Sequence, residues 1–115
     1  MGANELNTIM RQIVDKAVSL YGNSLERVML FGSYARGDFV AGSDLDVALF
    51  LRCEPVEIVK RRDTLIDETV FIDLEYGIST SYRIIPIKQW AEYKDALDLY
   101  INIDKEGVSY YERKQ

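Results

Sequence analysis

Two aspartates, Asp44 and Asp46, stand one residue apart at the start of the apolar run LDVALFL. Because side chains alternate in direction along a strand, two such residues leave the same face, about 7 Å apart along the chain. Carboxylate oxygens that converge from one side suit Mg²⁺, which binds few protein carboxylates and completes its shell with water and phosphate oxygens. The pair therefore predicts a magnesium site at the entrance of a strand.

A second group of polar residues precedes the aspartates, at the end of the apolar run Arg27–Gly32. Gly32 has no Cβ, so a ligand can approach its backbone, and Ser33 can begin a helical turn whose free N–H groups bind phosphate. The Ser33 hydroxyl can donate to a phosphate oxygen, and Arg36 can add a planar cationic contact. Ser43 can brace the carboxylate that follows it and is a further nucleotide-binding candidate. These residues predict a phosphate-binding turn beside the metal site.

Each of these features also has an ordinary structural interpretation. A Gly-Ser pair at a strand end is usually only a turn, and a single arginine is more often a surface charge than a ligand. Two aspartates after such a turn often mark a solvated strand entrance. The functional interpretation is favoured because all of them fall within fifteen residues. The glycine patterns of P-loops and of dinucleotide-binding turns are absent from the sequence.

The composition limits the classes of function. The 115 residues are 48% hydrophobic and 29% charged, which predicts a single domain over residues 1–115 with a packed core. The net charge of -5 argues against nucleic-acid binding, which usually requires a basic surplus. One cysteine and no histidine exclude an intrachain disulfide and a Cys/His zinc site. No apolar run approaches the ~20 residues of a membrane span and no signal-peptide pattern is found, so we expect a cytoplasmic protein.

The hydrophobic pattern predicts the elements that position the candidate residues. A helix is expected over residues 4–21, followed by strands and helices at Arg27–Gly32, Asp44–Leu51, Pro55–Tyr76, Ile78–Ile87 and Lys88–Ile101, and by a short polar tail. The short link between the first two strands predicts antiparallel neighbours, and the crossover helix allows the second and third strands to run parallel. The predicted fold class is α/β (α+β), a small mixed β-sheet with helices packed on one face.

The spacing of the candidate residues resembles a known signature. Gly32-Ser33, followed after ten residues by Asp44-x-Asp46, looks like the signature of the DNA polymerase β-like nucleotidyltransferase superfamily. The longer string GSYARGDFVAGSDLDV is similar to that of the minimal nucleotidyltransferases, small stand-alone proteins called MNT. The stretches DLEYGI, IIPI and YINIDKEGVSYYE resemble the later part of bacterial members. The resemblance implies the small nucleotidyltransferase α/β fold.

The resemblance also implies a reaction and roles for the residues. Gly32 and Ser33 would hold the triphosphate with help from Arg36. Asp44 and Asp46 would be the catalytic residues, binding Mg²⁺ as one ion or two and positioning a nucleoside triphosphate, usually ATP. A nucleoside monophosphate, AMP in that case, would pass to an acceptor hydroxyl while pyrophosphate leaves.

Partners are implied in the same way. Members of this class are commonly encoded beside a small helical HEPN protein, and the two behave as a toxin–antitoxin pair. The MNT member modifies its partner with AMP, commonly on tyrosine. We therefore expect a HEPN-type partner, or a second copy of the chain, to complete a cleft that so small a domain leaves open on one side.

One part of the expected site is missing from the sequence. Many active members use a third carboxylate on a later strand, as a ligand of a second metal or as the base for the acceptor hydroxyl. The predicted third strand contains no acid, and its alternating positions carry Ser79, Ser81 and Arg83. The nearest acids are Asp73 and Glu75, near the end of the preceding helix.

Three interpretations follow from this gap. The protein could be a working nucleotidyltransferase whose third group is relocated or supplied by the substrate. It could bind nucleotide and metal but transfer poorly, and neutralise a toxin by complex formation. It could also be a purely structural partner protein in which the loop is only a turn. The sequence favours the first of these.

Overall fold

A four-stranded mixed sheet forms the centre of the structure, a computed structural model that describes residues 1–114. In chain order the elements are α1 (Ala3–Tyr21), β1 (Leu25–Phe31), α2 (Ser33–Arg36), β2 (Leu45–Leu51), α3 (Ile58–Tyr76), β3 (Thr80–Pro86), α4 (Ile87–Tyr93), α5 (Asp98–Glu106) and β4 (Val108–Glu112). The strand order is β3-β2-β1-β4. β1 pairs antiparallel with β2 and β4, and β2 pairs parallel with β3, which confirms the predicted pairing of the first three strands. No helix within residues 1–114 has the length and apolar character needed to cross a bilayer.

The two central strands, β1 and β2, are buried on both faces of the sheet. Leu30 and Leu49 point into one hydrophobic cluster, which α1 and α3 cover. Met29 and Phe50 point into a second cluster on the opposite face, which α4 and α5 cover. The prediction that the helices pack on one face is wrong, because a strand that is apolar on both sides needs a covering layer on each.

The segment predicted as one helix over residues 88–101 forms two helices, α4 and α5, with a turn between them. The Trp90 ring lies edge-on to Phe50, with centroids 4.8 Å apart, and its centroid is 5.2 Å from that of Tyr100. In one straight helix, residues ten apart would be separated by about 15 Å along the axis. The break therefore lets both aromatic side chains pack together on the sheet and brings α5 against β1.

The predicted polar tail contains the end of α5 and a fourth strand, β4, which the sequence analysis missed. Tyr110 and Tyr111 are half-buried against the larger hydrophobic cluster, and the Tyr110 hydroxyl donates to Asn7 Oδ1 at 2.9 Å. Aromatic residues are enriched in strands, so this pair was the available signal. Gln115, the last residue of the predicted tail, lies outside the described residues.

The attachment of α5 to the sheet can be tested through Ile103, which is fully buried in the second cluster. Ile103→Val removes one methylene from a packed position and should lower the free energy of unfolding by about 0.5–1.5 kcal/mol. The same change at Ile101, an exposed position of α5, should alter it by less than about 0.5 kcal/mol. Urea unfolding measures both variants, and equal effects would show that Ile103 does not hold α5 in place.

Candidate active site

All the residues predicted to form the site line one cleft, where β1 ends and β2 begins. The cleft has a volume of about 390 Å³. The predicted residues on its wall are Gly32, Ser33, Arg36, Ser43, Asp44 and Asp46. The structure thus brings the candidates for phosphate binding and the candidates for metal binding to the same place.

The two aspartates form the acidic floor of the cleft. Asp46 is the second residue of β2, and Asp44 immediately precedes that strand. Burial of the Asp46 carboxyl group and the negative charge of Asp44 raise the pKa of Asp46, against weaker opposing effects of Arg83 and Arg36. A divalent cation would offset both the burial and the repulsion. This pair of oxygen donors therefore fits Mg²⁺.

Gly32 joins the two halves of the site. Its φ of +76° and ψ of -156° belong to a region that is essentially restricted to glycine. A Cβ at this position would overlap Asp46 Oδ2 and would lie 3.1 Å from Asp46 Cγ. The backbone of the turn therefore lies directly against the carboxylate, and a phosphate bound there would be next to a cation held by the aspartates.

The loop after Gly32 is held by its own contacts. Ser33 begins α2, and the rings of Tyr34 and Phe39 stack with centroids 4.3 Å apart and an interplanar angle of 13°. The Ser43 Oγ accepts a hydrogen bond from the Val40 N–H at 2.9 Å and closes the loop just before the aspartates. The Ser43 side chain thus braces the loop by binding the Val40 backbone, and its hydroxyl hydrogen stays available to donate.

Arg36 spans the mouth of the cleft between two carboxylates. Its Nε donates to Asp38 Oδ2 at 3.1 Å, and its Nη1 donates to Glu106 Oε2 at 2.9 Å. These hydrogen bonds raise the pKa of Arg36. The guanidinium is thereby directed across the cleft entrance, where a phosphate oxygen would compete with the carboxylates for its N–H groups.

One wall of the cleft was not foreseen. It is formed by α5, whose lining residues are Leu99, Asn102 and Glu106. The available signal was that Asn102 and Glu106 are four residues apart, next to the buried Ile103, which predicts a polar face beside an apolar one. The position of α5 beside the cleft depends on the turn between α4 and α5.

Neither acid considered for the third carboxylate lines the cleft. Asp73 accepts hydrogen bonds from Thr80, at 2.6 Å from its hydroxyl and 3.3 Å from its N–H, and so ties the end of α3 to β3. Glu75 lines a separate groove between α1 and α3. Among the described residues, no third acidic side chain joins Asp44 and Asp46 in a metal-binding group.

Comparison with protein families identifies the family to which the chain belongs. The sequence matches the model of the nucleotidyltransferase domain over residues 10–106. The chain belongs to the nucleotidyltransferase domain family. The match includes the whole Gly32–Asp46 segment, and it confirms the resemblance inferred from that segment and the classification of the chain as a nucleotidyltransferase.

Three archaeal relatives carry the name putative protein adenylyltransferase, all from Methanocaldococcus jannaschii. The chain is 33% identical to MJ1305 over 81 aligned residues, which make up 70% of this chain and 55% of MJ1305. It is 32% identical to MJ0141 over 81 aligned residues, which make up 70% of this chain and 74% of MJ0141. It is 28% identical to MJ0604 over 102 aligned residues, which make up 89% of this chain and 94% of MJ0604. The chain thus spans about half of MJ1305 and nearly all of MJ0604.

Solved structures share the fold. A putative nucleotidyltransferase from Sulfolobus solfataricus superposes with a TM-score of 0.63 at 19% identity, covering 98% of this chain and 91% of that one. A toxin–antitoxin complex crystallised with AMP-PNP gives a TM-score of 0.54 at 14% identity, and the superposition covers 90% of this chain and 74% of that one. A mutant MntA-HpeT toxin–antitoxin complex gives a TM-score of 0.56 at 15% identity, and the superposition covers 91% of this chain and 74% of that one. These similarities confirm the predicted nucleotidyltransferase fold.

Proposed function

We propose that this protein transfers AMP from ATP, bound with Mg²⁺, to a hydroxyl group of a protein. The observation that carries the proposal is the close approach of the Gly32 backbone to the Asp46 carboxylate, which supports phosphate binding at this turn next to a bound cation. The relatives named as protein adenylyltransferases support both the adenylyl group and a protein acceptor.

Five of the residues that line the cleft have a task in the proposed reaction. The backbone at Gly32 and the Ser33 hydroxyl hold the phosphates, and Arg36 adds a cationic contact at the entrance. Asp44 and Asp46 hold Mg²⁺, which neutralises charge on the transferring and leaving oxygens when bound. Since phosphoryl-type transfer depends mainly on position and electrostatics, a rigid turn beside the carboxylates is the main contribution of this chain.

A helical HEPN-type toxin is the proposed acceptor, with this chain as its antitoxin. Solved toxin–antitoxin complexes of the same fold, one of them with AMP-PNP, support a protein partner and a bound nucleotide. The Arg83 side chain on β3 is exposed, so a partner can approach on the β3 side of Asp46. A second copy of the chain is the other candidate partner, and the cytoplasmic setting stays a prediction.

The direct test is incubation with ATP labelled at the α-phosphate and Mg²⁺, with and without the product of the adjacent gene. We expect label on that partner protein, and none when the label is on the γ-phosphate of ATP. Binding of Mg²⁺·AMP-PNP without label on any protein would instead favour the second candidate, a nucleotide-binding protein that neutralises a toxin by forming a complex. The missing third carboxylate is the observation that supports this second candidate.

The Ser33 hydroxyl gives a smaller, separate prediction. A hydrogen bond to a charged group contributes about 1.5–3 kcal/mol, so Ser33→Ala should weaken AMP-PNP binding by about 10–140-fold. Ser19→Ala, the same change on the exposed side of α1, should leave the affinity unchanged. Isothermal titration calorimetry measures both, and equal affinities for the two variants would remove Ser33 from the phosphate site.

A further inference from the structure

The β3 side of the aspartates carries an arginine where an acid was expected. In the parallel register, Asp46 pairs with Ser81 and Ala48 pairs with Arg83. Paired residues of neighbouring strands point to the same face, so Ser81 and Arg83 leave the face that bears Asp46. Arg83 is exposed, and its positive charge acts on Asp46 strongly enough to oppose the rise in the pKa of that carboxyl group.

The strand order assigns the two sides of the cleft. β2 carries Asp46 and lies between β1 and β3. The Gly32 turn follows β1, and α5 lies on the same side, so a triphosphate held at that turn would occupy that half. An acceptor hydroxyl must attack opposite the leaving pyrophosphate, which puts it on the β3 side, next to Arg83.

Arg83 differs from Arg36 in its partners. Arg36 is held by Asp38 and Glu106, whereas Arg83 forms no ion pair with any side chain of residues 1–114. A guanidinium binds a carboxylate through two parallel hydrogen bonds, which fixes its geometry as well as its charge. Glu106 is poorly placed to serve the acceptor, because it lies on the α5 wall and its carboxylate is bonded to Arg36.

We propose that the acceptor is an acidic protein segment, whose own carboxylate docks on Arg83 and takes the place of the missing third acid. This proposal rests on the proposed function. The acceptor oxygen forms a bond to the α-phosphorus while the bond from that phosphorus to its bridging oxygen breaks, and pyrophosphate leaves with the electron pair. The proton of the acceptor hydroxyl passes to the docked carboxylate. Arg83 is a positioning residue in this step, because it acts through that carboxylate.

The test uses three end-blocked peptides of sequence Glu-Tyr-Glu, Gln-Tyr-Gln and Lys-Tyr-Lys. Binding is measured on the protein loaded with Mg²⁺·AMP-PNP, and labelling is measured with ATP. The acidic peptide should bind at least about tenfold more tightly than the neutral one. Arg83→Gln should abolish this preference and raise the KM for the acidic peptide while the KM for ATP stays unchanged, and Arg83→Glu should favour the basic peptide.

Arg11→Gln is the matched control, since it removes the same charge from an exposed position of α1, on the other face of the sheet. Equal binding of the three peptides, no binding of the acidic peptide, or an unchanged preference in Arg83→Gln would overturn the proposal. Weaker ATP binding in Arg83→Gln would also overturn it, by placing Arg83 at the nucleotide. Binding of Mg²⁺·AMP-PNP to the wild type tests the proposed function separately, because it involves no acceptor.

Discussion

Replacing Asp46 by asparagine is expected to reduce AMP transfer by at least about 10³-fold while the protein stays folded. Asparagine keeps the shape of the side chain but removes the charge that would hold Mg²⁺ beside the phosphate turn. A metal ion contributes several kcal/mol of charge stabilisation in the transition state, and about 4 kcal/mol corresponds to roughly 10³-fold in rate. The loss should appear as absence of label from α-labelled ATP on the partner protein.

The same substitution should leave the melting temperature unchanged or raise it. Burial and the charge of Asp44 raise the pKa of Asp46, so the ionised carboxyl group is less favourable in the folded than in the unfolded protein. Above its folded-state pKa this charge therefore opposes folding, and the cost disappears as the pH falls through that pKa. Loss of activity with equal or higher stability is typical of a residue retained for function.

Asp63→Asn is the control for this prediction, because it makes the same change on an exposed position of α3. It should affect neither transfer nor binding of Mg²⁺·AMP-PNP. Undiminished transfer by Asp46→Asn would remove Asp46 from the metal site. A loss of transfer accompanied by a lower melting temperature would instead mean that Asp46 has a structural role.

Gly32→Ala is expected to destabilise the protein and to abolish nucleotide binding together. The backbone angles of Gly32 exclude other residues at a cost of about 1–3 kcal/mol, and the added methyl group would meet the Asp46 carboxylate. The turn or the carboxylate must shift, so the phosphate and metal sites separate. Urea unfolding and calorimetry with Mg²⁺·AMP-PNP measure the two effects.

Two further variants separate backbone strain from the contact with Asp46. Gly77, which ends α3 with a φ of +64° and has no neighbouring atom within 4 Å of an added Cβ, does not line the cleft. Gly77→Ala should lose about 1–2 kcal/mol of stability through strain and keep full nucleotide binding. The double variant Gly32→Ala with Asp46→Ala should be more stable than the sum of the single effects, because the carboxylate that meets the new methyl group is gone. Strict additivity would show that the two residues do not touch.

The sequence by itself determined the part of the site that is local. The segment from Gly32 to Asp46 is one strand end, one loop and one strand start, so its residues must meet wherever the rest of the chain lies. Link lengths likewise predicted that β1 and β2 are antiparallel and allowed β2 and β3 to be parallel, as the structure has them. The chemical roles of these residues stay predictions that the variants above test.

Only the tertiary structure decided what surrounds that segment. The wall of Leu99, Asn102 and Glu106 exists because the chain turns between α4 and α5. That turn lets Trp90 pack against both Phe50 and Tyr100. The contact of Trp90 with Phe50 joins residues 40 positions apart, which no local periodicity encodes. The second helix layer follows from the same requirement, because the apolar residues on both faces of β1 and β2 are buried only when distant parts of the chain cover them. β4 instead pairs with the edge of β1 that β2 leaves open.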